Sequence, residues 1–158
     1  MSATVSVPGD FSMPDVVLLD AGPLGIASHP RPGPEILGWM SRLFAAGVQL
    51  LVPEIADYEV RRELLRANRL RGVQRLDELK LTLGFLPIST NAMLRAAELW
   101  ADARRRGRPT ASDPALDADV ILAAQAQVIV GKNVVVASSN PKHLGRFVTA
   151  DLWQNIQP

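Results

Sequence analysis

Three short apolar runs constrain this chain more than any other feature: VVLL (Val16 to Leu19), VQLLVP (Val48 to Pro53) and VVVAS (Val134 to Ser138). Each is bounded by a charge, a proline or a polar cluster. Each is too short for an ordinary helix, so it reads as a strand buried on both faces. Segments with helical spacing lie between them. Strands alternating with helices predict a parallel sheet covered on both sides. The expected fold is therefore α/β, a single domain with a central, mainly parallel sheet of four to five strands flanked by helices on both faces.

The intervening segments fill in this plan. A helix is expected from about Glu35 to Ala46, closed by Gly47, and another from Glu54 to Arg69. A further helix starts at Gly72, with Val73, Leu76, Leu79, Leu81 and Leu83 as core positions. GFLPIS (Gly84 to Ser89) reads as a third, extended segment. Ser89 or Thr90 caps the next helix, in which Met93, Ala97 and Trp100 share a face. VILAAQAQVIV (Val120 to Val130) has the composition of a buried helix. Gly22-Pro23 reads as a turn, residues 1–14 as a flexible tail, and 15–158 as the domain.

The 158 residues are 47% hydrophobic and 21% charged, which is normal for a globular domain and argues against disorder. The lack of cysteine excludes a disulfide framework and a cysteine-ligated zinc site. No stretch approaches the roughly 20 apolar residues of a membrane helix, and the first residues lack the pattern of a signal peptide. A cytoplasmic location without membrane association is expected. The net charge is only +1, but arginines crowd two places: Arg61 to Arg75, and the run RRRGR from Arg104 to Arg108. Either run taken alone is most simply a solvated face.

Ligands of open α/β sheets bind beyond the carboxyl ends of the strands. Asp20 directly follows the first strand. Asp57, Glu59 and Glu63 lie on the helix after the second. Asp113, Asp117 and Asp119 precede or open the helix before the last strand, and that strand ends in Ser138, Ser139 and Asn140. Caps and ion pairs account for some of these acids. They do not account for all of them, and a carboxylate fixed at the end of a buried strand is the hardest to explain that way.

Carboxylates brought together without a cation repel one another, which raises their pKa values and costs stability. A hard divalent ion, Mg²⁺ or Mn²⁺, removes the conflict and suits oxygen donors. Such an ion acidifies water and stabilises charge developing on phosphorus. Arginines near the site would bind neighbouring phosphates. The residues alone thus lead to a metal-dependent phosphodiesterase acting on nucleic acid. A Ser-His-Asp triad has little support from two histidines, and no phosphate-binding glycine loop of the P-loop or dinucleotide type is present.

The ordered set of motifs resembles the PIN domain family, the nuclease fold of VapC-type toxins. LLDAGPL resembles the opening strand with its first acid. VPEIADYEVRREL resembles the second motif, in which Glu59 matches the ligand position. LDADVILAAQA resembles the third and selects Asp119. VVVASSNPKHLGRF resembles the fourth, with Ser138 and Asn140 in the places of Thr and Asp or Asn. The resemblance runs from Asp15 to Trp153. It implies a single PIN-like domain, a Mg²⁺- or Mn²⁺-dependent ribonuclease with an RNA substrate, a homodimer and a small antitoxin partner.

On this reading Asp20, Glu59 and Asp119 hold the metal, with Asp117 and Asn140 contributing directly or through water. Arg61, Arg62, Arg105 and Arg108 contact phosphate, and Ser138 joins them in binding nucleic acid. Asn140 departs from an acid at the fourth position, and Asp117 is the candidate replacement. The extra helix from Arg69 to Leu83 points toward a stand-alone nuclease. Two alternatives stay open: a non-catalytic PIN-fold module that binds RNA or protein, and a metal-dependent phosphatase acting on small molecules.

Overall fold

A computed structural model describes residues 13–107 and 113–158, with the side chains of 113 and 114 excepted. Expectations for residues 1–12 and for Arg108, and for the side chain of Asp113, lie outside the described residues. Five strands form one sheet in the order β3-β2-β1-β4-β5: β1 Val16–Leu19, β2 Gln49–Pro53, β3 Phe85–Leu86, β4 Val134–Ser138 and β5 Ala150–Leu152. All four pairings are parallel. Among the described residues six helices accompany them: α1 Ala21–Ala27, α2 Pro34–Ala45, α3 Glu54–Arg66, α4 Leu70–Leu83, α5 Thr90–Arg105 and α6 Asp113–Gln127. The expected α/β architecture with helices on both faces is what the chain forms.

β1 is buried along its whole length. Alternation sends Val17 and Leu19 into one core, where they meet Leu24 of α1, Trp39 and Leu43 of α2, and Leu76 and Leu79 of α4. Val16 and Leu18 enter the opposite core with Leu122 of α6. α5 packs outside α6 through Ala92, Ala96 and Leu99 against Val120, Ala123 and Ala124. The carboxyl end of the chain is tied down where Trp39 Nε1 donates to the Ile156 carbonyl at 2.8 Å and Trp39 meets Trp153 edge-on.

The chain departs from the sequence reading in three places. Gly22-Pro23 is no turn, because α1 starts directly after Asp20 and carries Pro23 in its first turn, where the missing N–H costs nothing. Met93, Ala97 and Trp100 of α5 are exposed along a groove toward α6, and Ala92, Ala96 and Leu99 are buried instead. Leu81 is 89% exposed rather than in the core.

Candidate active site

The strand order reverses at β1: one half of the sheet grows outward through β2 and β3, the other through β4 and β5. The carboxyl ends of β1 and β4 therefore border the crevice where such sheets take ligands. Register fixes what stands there. Leu19 pairs with Ala137, so the next residues, Asp20 and Ser138, face each other. Asp20 Oδ2 accepts from the Ser138 hydroxyl at 2.7 Å, and Oδ1 accepts from the Ala21 N–H at 2.7 Å as the cap of α1. The Asp20 N–H donates to the Ala137 carbonyl at 2.9 Å. Backbone and side chain are both held, and each carboxylate oxygen retains acceptor capacity.

This close meeting of α1 with β4 requires Gly22. A Cβ there would come within 2.7 Å of Ser139 Cβ. The first turn of α1 thus rests against the strand end that supplies Ser138.

α3 and α6 bring the other two acids. Buried Gln125 of α6 donates to the Leu86 carbonyl at 2.9 Å, and Glu54 at the start of α3 accepts from the Ile88 N–H at 2.8 Å. These bonds lock both helices to the β3 side of the sheet. Glu59 and Asp119 are then half-buried on the same edge as Asp20. Desolvation, the Asp20 charge and Asp119 raise the Glu59 carboxyl to about 7, with Arg62 opposing. Desolvation and Asp20 raise Asp119 to about 6, against the pull of His143 and Arg146. Three acids from three elements therefore lie within one another's field.

They do not form a closed ligand shell. Among the described residues, no group of three or more His, Cys, Asp or Glu side chains is arranged to hold a metal ion as it stands. The donor chemistry of the three does fit a hard cation. All are carboxylates, and neither Glu59 nor Asp119 has an ion pair or a hydrogen bond among the described residues.

The remaining expected site residues separate. Asp117 is exposed and borders a groove with Met93, Ala97 and Trp100 of α5, away from Asp20. Two residues of helix place it about 200° around α6 from Asp119. Asn140 is exposed, and its N–H donates to Ser138 Oγ at 3.0 Å. Ser138 is only 1% exposed, and its hydroxyl is engaged with Asp20. Arg61 is committed elsewhere: its guanidinium donates to Asp57 at 2.8 Å and to Asp77 at 2.6 Å, joining α3 to α4. Lys80 approaches the same Asp57 at 3.7 Å. Arg62 lies 5.1 Å over the Tyr58 ring, at the edge of the acid set, and Arg105 is exposed at the end of α5.

His143 and Arg146 are the site residues that sequence reasoning missed. Both act on Asp119 from the turn that follows β4, Arg146 from the 3-10 segment Leu144–Arg146. The signal was available in PKHLGR directly after the strand, since residues following a carboxyl-end strand in this fold line the crevice.

No family model matches the sequence, and no curated protein sequence matches it. Solved structures do. The chain is similar to VapBC2 from Rickettsia felis bound to a promoter DNA fragment, with a TM-score of 0.68, 15% identity, and 87% of this chain and 98% of that one covered. VapBC-1 from nontypeable Haemophilus influenzae gives 0.67 at 17% identity, covering 89% and 99%. FitAcB from Neisseria gonorrhoeae gives 0.65 at 20%, covering 88% and 99%. At these identities the likeness establishes the fold alone, a single PIN-like α/β domain.

Proposed function

We propose that this protein is a Mg²⁺- or Mn²⁺-dependent ribonuclease, and the toxin of a VapBC-type pair. The observation that carries the reading is the field Asp20 exerts on both Glu59 and Asp119 at the switch point of a PIN-like sheet. Folding holds the three acids together at a cost that a bound cation offsets. Asp20, Glu59 and Asp119 would hold the ion. When bound, it supplies a water nucleophile at neutral pH and charge neutralisation at phosphorus. Ser138 orients Asp20, and Arg62, His143 and Arg146 place positive charge beside the acids, where a phosphate approaches.

The fold likeness to VapBC and FitAB chains supports a small antitoxin partner, and the motif resemblance adds a homodimer to the proposal. Co-purification with the product of an adjacent short reading frame tests the first, and light scattering of the purified protein tests the second. The nuclease reading itself is tested by incubating purified protein with mixed RNA and single-stranded DNA, with Mn²⁺ or with EDTA. RNA cleavage only in the presence of Mn²⁺ is expected, and cleavage undiminished in EDTA removes the mechanism.

One specific observation favours a second reading, a non-catalytic PIN-fold module that binds RNA or protein. Asn140 stands where the resemblance expects the fourth ligand, and Asp117 is turned away from the set. RNA binding without cleavage under any divalent cation would select it.

A further inference from the structure

Two cavities adjoin, one between α1 and α3, the other between the loop after α1 and the turn from α3 into α4. One, of about 450 Å³, begins at Ala21 and Glu59 and passes over Gly25 and Ser28. The other, of about 420 Å³, shares Gly25, Ser28, Leu64 and Arg69 with the first and ends among His29, Arg31 and Arg71. Together they make one groove that leaves the acid edge at Glu59. It follows α3 for about 10 Å, the rise from Glu59 to Arg66. Its floor is low, since a Cβ on Gly25 would meet nothing within 4 Å.

The charge of the groove changes along its length. Near the acids, Glu63 is paired with Arg66 at 2.8 Å. At the far end Arg31, Arg69 and Arg71 are exposed, and none of their guanidinium groups has an ion pair among the described residues. Eight other described arginines, Arg61, Arg62, Arg66, Arg75, Arg95, Arg104, Arg106 and Arg146, are drawn into ion pairs or ring contacts. An acidic peptide would satisfy the three free cations, but it has no reason to reach the carboxylates. A phosphodiester chain has a reason at both ends. Volumes of about 450 and 420 Å³ have room for a single strand and not for a duplex.

We infer that this groove is the track of a single-stranded RNA flanking the bond to be cleaved, with Arg31, Arg69 and Arg71 binding its backbone phosphates. The inference rests on the ribonuclease reading for its direction, but not for its test. Fluorescence anisotropy of an end-labelled single-stranded RNA, in EDTA and over a salt series, compares the wild type with the triple variant Arg31→Ala/Arg69→Ala/Arg71→Ala. All three side chains are exposed, and an unchanged thermal midpoint verifies the fold.

The variant should bind at least about tenfold more weakly at low salt, and its log–log salt slope should fall by roughly 2, about 0.7 per lost contact. With Mn²⁺ present, its KM for RNA should rise while kcat at saturation holds. Equal affinity and slope in both proteins overturn the inference, as does a wild type that binds no RNA. So does a variant that loses binding to a labelled poly-glutamate peptide but keeps RNA, an outcome that gives the groove to a protein partner. If RNA binding depends on the three arginines and the wild type cleaves nothing, the track stands and only the nuclease reading falls.

Discussion

The Ser138 hydroxyl donates to Asp20 at 2.7 Å between the ends of two neighbouring parallel strands, 118 residues apart in the chain. Through this bond β4 sets the orientation of the carboxylate that β1 delivers. Ser138→Ala removes a buried hydrogen bond to a charged acceptor, worth about 1.5–3 kcal/mol. The variant should melt several degrees lower yet remain folded. Metal-dependent cleavage should drop by about 10- to 100-fold, as for other groups that orient a ligand. Calorimetry and initial rates measure the two effects separately.

Glu59 gives the pH dependence of stability in the metal-free protein a definite sign. Its carboxyl rises from an ordinary 4.5 to about 7 on folding. Between those values the native state keeps a proton that the unfolded chain has lost. The protonated acid therefore favours the fold fully at low pH, and that contribution is lost as pH climbs through about 7. In EDTA the melting temperature should fall by a few degrees from pH 5 to pH 8, and Glu59→Gln should flatten the curve. A wild-type curve that rises over this range contradicts the assignment.

Gly22 and Gly25 lie one turn apart on α1 and should respond oppositely to alanine. At Gly22 the new Cβ meets Ser139, and forcing it in costs about 1–3 kcal/mol. At Gly25 the space is open, and alanine gains up to about 1 kcal/mol of helix propensity. Chemical denaturation of the two variants measures the difference.

Arg61→Ala should act on stability alone. It leaves the buried Asp57 with only Lys80 at 3.7 Å and frees Asp77, a loss of about 1–2 kcal/mol, between the values for exposed and buried pairs. The KM for RNA should be unchanged. A rise in KM without a loss of stability would restore Arg61 to the phosphate-binding set.

The fold was legible because β1 is buried along its whole length, β2 and β4 are largely so, and all three are built mainly from aliphatic residues. α1 was not legible, since its seven residues contain Gly22, Pro23 and Gly25, which read locally as a turn. Its N-cap is the same Asp20 that invited a functional explanation, and one side chain serves both roles. On α5 the largest apolar residues suggested the wrong face. The helix buries Ala92 and Ala96 against Ala123 and Ala124, where small side chains let two backbones approach, and leaves Trp100 outside under Arg104. In the site, Asp20 stood out by residue type and position, whereas Glu59 and Asp119 were singled out among neighbouring acids only by the resemblance to the PIN motifs. The role of Ser138 depended on the pairing of Leu19 with Ala137, and the loss of Arg61 depended on Asp77 of a different helix. Neither pairing is written in local sequence.

The central claim is that Asp20, Glu59 and Asp119 serve one cation. Calorimetric titration of Mn²⁺ at pH 8 into the wild type and into Asp20→Asn, Glu59→Gln and Asp119→Asn tests it most directly. We predict one site in the wild type, weakened at least about tenfold by each substitution, in proteins that remain folded. Mn²⁺ affinity unaltered by all three substitutions would contradict it.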